Sequence, residues 1–193
     1  MLERVRRPCS HHVRRTLAML CAGLLLSGPA RAWQADELAH RQIDGARLYG
    51  TGVLRHYGQT LYTARLYVDP GRFAARQARN EAFMLDLEWA EAIDGAALAS
   101  FFAREMRDMG LASREAIDAW QGRLNGLLPA LDANDHLSIL YRPAEGCAFF
   151  VNGEPIGMLR ERAFADAFFG LWFDAETTMP LLRQQLLHPA PGS

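Results

Sequence analysis

The chain contains no lysine; all 21 of its basic side chains are arginines. That absence removes Schiff-base catalysis and the Walker-type phosphate loop, both of which need a lysine amine. Cysteine is nearly as scarce, with three in 193 residues, and two of these, Cys9 and Cys21, precede residue 33. Beyond that point Cys147 stands alone, so residues 33–193 cannot form an internal disulfide and their core must hold the fold by packing. A cysteine-based zinc site fails for the same reason, because His40, His56, His136 and His188 are scattered without ligand-like spacing. Long apolar runs are missing as well. The run from Leu17 to Leu26 falls far short of the roughly 20 residues needed to cross a bilayer.

That run has a context. Arg4, Arg6, Arg7, Arg14 and Arg15 precede it against one acid, Glu3, and Ala30-Arg31-Ala32 follows it. Basic region, apolar region and small-x-small site in that order predict a cleavable secretory signal peptide over residues 1–32, cut before Trp33. The expected location is periplasmic or secreted, with no transmembrane segment after cleavage. Acylation at Cys21 is a weaker alternative, since Cys21 sits inside the apolar run and follows Leu20 instead of a small residue.

Residues 33–193 suffice for one domain with a sizeable core. They hold 15 arginines against 21 acidic residues, a formal charge of −6. An acidic domain is a poor match to a phosphate backbone, so no nucleic-acid partner is expected. No nucleotide or other cofactor is expected either.

Arg47 to Tyr57 and Leu61 to Val68, with Gly58 between them, read as a hairpin rich in Tyr, Val, Leu and Thr. In its second strand Tyr62, Ala64, Leu66 and Val68 point one way, and Leu61, Thr63, Arg65 and Tyr67 the other. One face is apolar and the other mixed, which suits a helix layer on one side and a cleft or solvent on the other. Asp69-Pro70 predicts a short helix to about Arg79. Phe83, Leu85, Leu87 and Trp89 then alternate with Met84, Asp86, Glu88 and Ala90 as a strand.

Asp94 caps an expected helix with Leu98, Phe101, Phe102 and Met106 on one face, ended by Gly110. Ser113 caps another, with Ile117, Trp120, Leu124 and Leu128 aligned. His136 to Tyr141 and Cys147 to Val151 form a second hairpin, and Asn152-Gly153 turns the chain into Pro155 to Leu159. Arg162 to Phe173 and Met179 to Leu187 return to helix before a tail that frays. Strands and helices in blocks indicate an α+β fold, an antiparallel sheet with helices packed on it.

Four stretches resemble the bacterial chalcone isomerase-like proteins: Leu48-Tyr49-Gly50-Thr51-Gly52-Val53-Leu54-Arg55, Leu61-Tyr62-Thr63-Ala64-Arg65-Leu66-Tyr67-Val68, Phe149-Phe150-Val151-Asn152-Gly153-Glu154-Pro155-Ile156-Gly157, and Phe164-Ala165-Asp166-Ala167-Phe168-Phe169-Gly170-Leu171-Trp172-Phe173. Their order and spacing, from about residue 43 to 187, carry the resemblance. It implies an open-faced β-sandwich, a large antiparallel sheet under a helical layer with a ligand cleft between them. It also implies one of two activities. Plant members cyclise chalcones to flavanones, and related plastid members bind fatty acids without catalysis.

Chalcone closure is an intramolecular conjugate addition whose developing oxyanion must be stabilised. The resemblance to the plant members implies that an Arg and a Thr on the first hairpin, with a Tyr and an Asn further on, would serve it. Arg55 and Thr63 are the matching positions and the candidate catalytic pair for an isomerase of the intramolecular lyase type. This sequence carries an extra residue, Leu54, between Val53 and the Arg, and a one-residue slip turns a strand side chain to the opposite face. The favoured expectation is non-catalytic binding of a small amphipathic or apolar ligand, such as a fatty acid. Arg55 would anchor its carboxylate, with Tyr62, Thr63, Tyr67 and Tyr141 as further ligand contacts.

Bland readings compete with these. Arg65, Asp86 and Glu88 read as solvated, with Asp86 and Glu88 a remote candidate for a glycosidase-like acid pair. Asn152 is a residue of suitable type and no more. The run Phe164, Phe168, Phe169, Trp172 and Phe173 reads as helix-on-sheet core ahead of an apolar tunnel. Cys147 reads as a buried small hydrophobe.

Overall fold

Six antiparallel strands follow one another across a single sheet in chain order. They are β1 (Arg47–His56), β2 (Gln59–Val68), β3 (Phe83–Trp89), β4 (His136–Arg142), β5 (Gly146–Val151) and β6 (Glu154–Leu159). Five helices accompany them: α1 (Ala35–Gln42), α2 (Gly95–Asp108), α3 (Arg114–Leu127), α4 (Arg162–Phe173) and α5 (Pro180–Leu187). This is the expected α+β architecture. The computed structural model describes residues 34–74 and 80–188. The expected leader and the tail past His188 lie outside the described residues, as does the second half of the helix expected from Asp69 to Arg79. The first half of that helix is absent, since residues 70–72 form a turn. There the Asp69 carboxylate accepts from the Gly71 N–H at 2.9 Å, a local bond that competes with helix.

The turns between strands follow from residues that tolerate positive φ. Tyr57 and Gly58 have φ of 49° and 83°, and Asn152 and Gly153 have 47° and 83°. Both are two-residue hairpin loops whose twist matches that of the strands. Helix starts are capped as the sequence predicts. The Asp94 carboxylate accepts from the N–H groups of Ala96 and Ala97 at 3.0 and 3.1 Å, and Ser113 Oγ accepts from Ala116 N–H at 3.3 Å. Gly110, at φ 63°, closes α2.

Strand periodicity assigns the faces. Tyr62, Ala64, Leu66 and Val68 of β2, with Phe83, Leu85, Leu87 and Trp89 of β3, are buried on the inner face with the apolar stripes of α2, α3 and α4. The aromatic residues of α4 complete this core. Phe164, Phe168, Phe169 and Trp172 are fully buried, and Phe168 meets Phe102 edge-on at 5.1 Å between ring centres. Each such ring contributes about 1.5–3 kcal/mol by leaving water. The space between sheet and helices is thus filled by the chain's own rings.

On the outer face α1, which the sequence pattern does not reveal, covers one end. Leu38, Ala39 and Ile43 pack there on Tyr67, Met84, Leu140 and Phe150. Arg142 fastens the helix end, donating to the Gln42 carbonyl at 2.9 Å.

The last helix packs on the first strand. Gly50 and Gly52 share the inner face with Leu66 and Ala64, their partners in β2. A Cβ at Gly50 would overlap the Leu186 carbonyl, and one at Gly52 would stand 2.6 Å from Leu182 Cδ1. Only a bare Cα lets the α5 backbone approach this closely. The Gln185 side chain accepts from the Val53 N–H at 3.1 Å. Gly50→Ala is expected to lower stability by about 1–3 kcal/mol through overpacking, read as a lower denaturant midpoint with α5 displaced.

Candidate functional site

Where α5 lies over β1, a cleft of about 540 Å³ opens between β1, β2, the outer side of α2 and the start of α5. Leu54, Leu61, Phe101 and Met179 give it apolar walls; Arg55, His56, Arg104, Glu105, Asp108 and Thr178 give it polar ones. A second lobe of about 440 Å³ shares Leu54, Arg55, Thr178 and Met179 and continues along Val53, Pro180, Leu181, Leu182 and Gln185. Leu181 is an exposed large apolar side chain at its rim.

The strand pairing is irregular beside this cleft. Leu54 pairs with Tyr62, but Arg55 pairs with Thr60, so β2 spends one residue more than β1 at that step, and Leu61 is the extra residue. A bulge re-aims side chains of the strand that carries it. Leu61, which plain alternation puts on the face of Thr63, packs against the inner core and lines the cleft with Arg55 and Phe101. Neither Arg55 nor Arg104 forms an ion pair or hydrogen bond with any described residue. Glu105 accepts a 2.8 Å hydrogen bond from the Thr178 hydroxyl.

The other expected contacts scatter. Tyr62 is buried behind the cleft, its hydroxyl accepting from Trp172 Nε1 at 3.1 Å and donating to Met179 Sδ at 3.5 Å. Met179 thus separates Tyr62 from the cleft that it lines. Beside Tyr62, at 5.1 Å between ring centres, lies Trp89, whose buried Nε1 has no hydrogen-bond partner among the described residues. Thr63 pairs with Val53 and Glu88 and faces the outer side of the sheet. Tyr141 is buried in the inner core against Phe83 and Phe169. It is in register with Phe83, and Phe83 with Val68, which places it about 20 Å along the strands from the Tyr62 end. Of the candidate pair, then, Arg55 lines the cleft and Thr63 lies across the sheet from it.

Tyr67 belongs to a separate recess of about 230 Å³ on the outer face, with Gln34, Ala35, Asp36, Arg65, Glu88 and His136. Here the expectation of a solvated face is overturned. Asp86 is completely buried and accepts from Ser138 Oγ at 2.7 Å, with His136 Nδ1 at 2.9 Å and Arg65 at 3.4 Å. Arg65 also donates to Glu88 at 2.6 Å. Arg65, Asp86 and Ser138 are directly opposite one another on β2, β3 and β4, so the ladder register builds the network. Its charges are satisfied within the fold, as buried charges must be. Asn152 is equally committed, bonding to Asp135 and to the His136 N–H across its turn. Cys147 is fully buried, and burial pushes its thiol well above the ordinary range, which leaves it inert.

Arg104, Glu105 and Asp108 are not among the residues expected at the site from sequence. A signal for them exists: they follow Phe101 on α2 at spacings of three, four and seven, the stripe that shares its side of a helix.

Residues 34–188 match the chalcone isomerase-like family, and the chain belongs to it. A fatty-acid binding protein of Arabidopsis thaliana has the same fold. The two share 13% sequence identity at a TM-score of 0.58, over 75% of this chain and 87% of the plant chain. No curated protein matches. Among the described residues no helix is long and apolar enough to cross a membrane.

Burial pushes the phenols of Tyr62 and Tyr67 well above their ordinary value of 10, and for Tyr67 a hydrogen bond with Asp36 adds to the effect. A raised value in the folded state stabilises the fold below the unfolded value and ceases to do so as pH rises through the folded one. Stability is therefore expected to fall above about pH 10. In an alkaline absorbance titration, these two tyrosines should ionise only as the protein unfolds.

Proposed function

We propose that this protein is a non-catalytic binder of a single-chain amphiphile of the fatty-acid class, held in the cleft between β1, α2 and α5. The observation that carries the reading is the pair of guanidiniums, Arg55 and Arg104, without partners among the described residues, beside the apolar side chains of Leu54, Leu61, Phe101 and Met179. Unpaired arginines suit a carboxylate, which each can bind through two parallel hydrogen bonds. The two lobes provide an apolar path for a chain along the surface, over Met179 and beside α5. Fatty-acid binding by the plant protein of the same fold supports the class of ligand. The oxyanion pair needed for enone cyclisation gains no such support, because Thr63 is across the sheet from Arg55.

Titration with palmitate, followed by displacement of a fluorescent fatty acid, tests the reading. Arg55→Ala and Arg104→Ala should each weaken binding by about tenfold while leaving the denaturant midpoint unchanged. Equal affinity in wild type and both variants would remove the anchor. We also propose a periplasmic or secreted location, which the arginine-led leader supports. N-terminal sequencing of protein from a periplasmic fraction should begin at Trp33.

A further inference from the structure

The arginines of the cleft are accompanied by an equal number of carboxylates. We infer that the natural ligand is zwitterionic: one acyl chain whose head group carries both an anion and an ammonium. This rests on the amphiphile reading above and narrows it.

Arg55 comes from β1, and Arg104, Glu105 and Asp108 from consecutive turns of α2, all lining the same 540 Å³. Arg104 and Asp108 are spaced four apart, where helical ion pairs form, but with the base N-terminal to the acid, the weaker order, and they do not pair. One turn apart on the same helix, Arg107 does find a partner, Asp118 of α3, at 2.5 Å. Glu105 is held by the Thr178 hydroxyl through Oε2, which leaves its other oxygen open. Asp108 has no partner among the described residues. Two cations and two anions thus face one cleft without neutralising each other.

A simple carboxylate would satisfy the guanidiniums and at the same time approach Glu105 and Asp108, whose like charge opposes it. An ammonium a few bonds from the anion turns that repulsion into attraction. A neutral lipid would leave all four groups uncompensated. By contrast, the charges around Asp86 on the outer face saturate one another and call for no ligand.

The test compares three palmitoyl probes on the whole protein by isothermal titration: lysophosphatidylethanolamine, which is zwitterionic, and lysophosphatidylglycerol and palmitate, which are anionic. The zwitterion is expected to bind about three- to tenfold tighter than either anion. Asp108→Asn, an exposed surface change, should erase that preference by weakening the zwitterion and strengthening the anions, and Glu105→Gln should act in the same direction. Anions binding as tightly as the zwitterion, or a preference that survives both variants, overturns the inference and leaves the amphiphile reading standing. Failure of all three probes to bind overturns both.

Discussion

The contact between α5 and the first strand governs where this protein can meet a ligand. Two glycines on one face of β1 let the helix backbone rest on the strand backbone, closer than any side chain would permit. That contact fixes the start of α5, and with it Thr178 and Met179, opposite the outer side of α2. The cleft is the gap left between the two helices. Its polar groups come from three elements with no sequence continuity, and without α5 in place they would share no enclosure.

The interior explains why the cleft is peripheral. Burial of large rings is the main favourable term available to a domain without an internal disulfide, and α4 supplies them densely. A core filled in this way has little room to admit a chain, since protein interiors are packed like crystals. A ligand is left with the surface trough where Met179 covers Tyr62. On the opposite side of the sheet, three strands put Arg65, Asp86 and Ser138 in register, and a buried carboxylate is tolerated because its neighbours donate to it.

Much of this was legible in the sequence and some was not, for identifiable reasons. Alternation in β2 and β3 named the inner face correctly because strand periodicity is a local property. Asp94, Ser113, Gly110 and Asn152-Gly153 announced helix ends and a turn by chemistry that acts within a few residues. Asp69-Pro70 misled, since an acid that caps a helix also closes a turn by bonding Gly71. Helix α1 leaves little trace in the sequence because its buried side within the helix is only Ala35, Leu38 and Ala39. Asp86 looked solvated because alternation says which face a residue takes and not what will cover it. Thr63 and Tyr141 show the same limit for the site. Their residue types suited a ligand, but only the register shows that one faces away and the other lies at the far end of the sheet. The place of Leu61 in the cleft depends on a bulge, a mismatch between two strands that neither strand reveals alone.

A sheet laid out in chain order has two free margins, and each presents unpaired backbone groups to any other extended chain. In this protein the first margin is partly closed from above: α5 lies along it, and Gln185 occupies the Val53 N–H that a foreign strand would need. At the other margin Pro155 removes a donor from β6. The glycine pair that seats α5 therefore also shields the β1 margin from pairing with another extended chain.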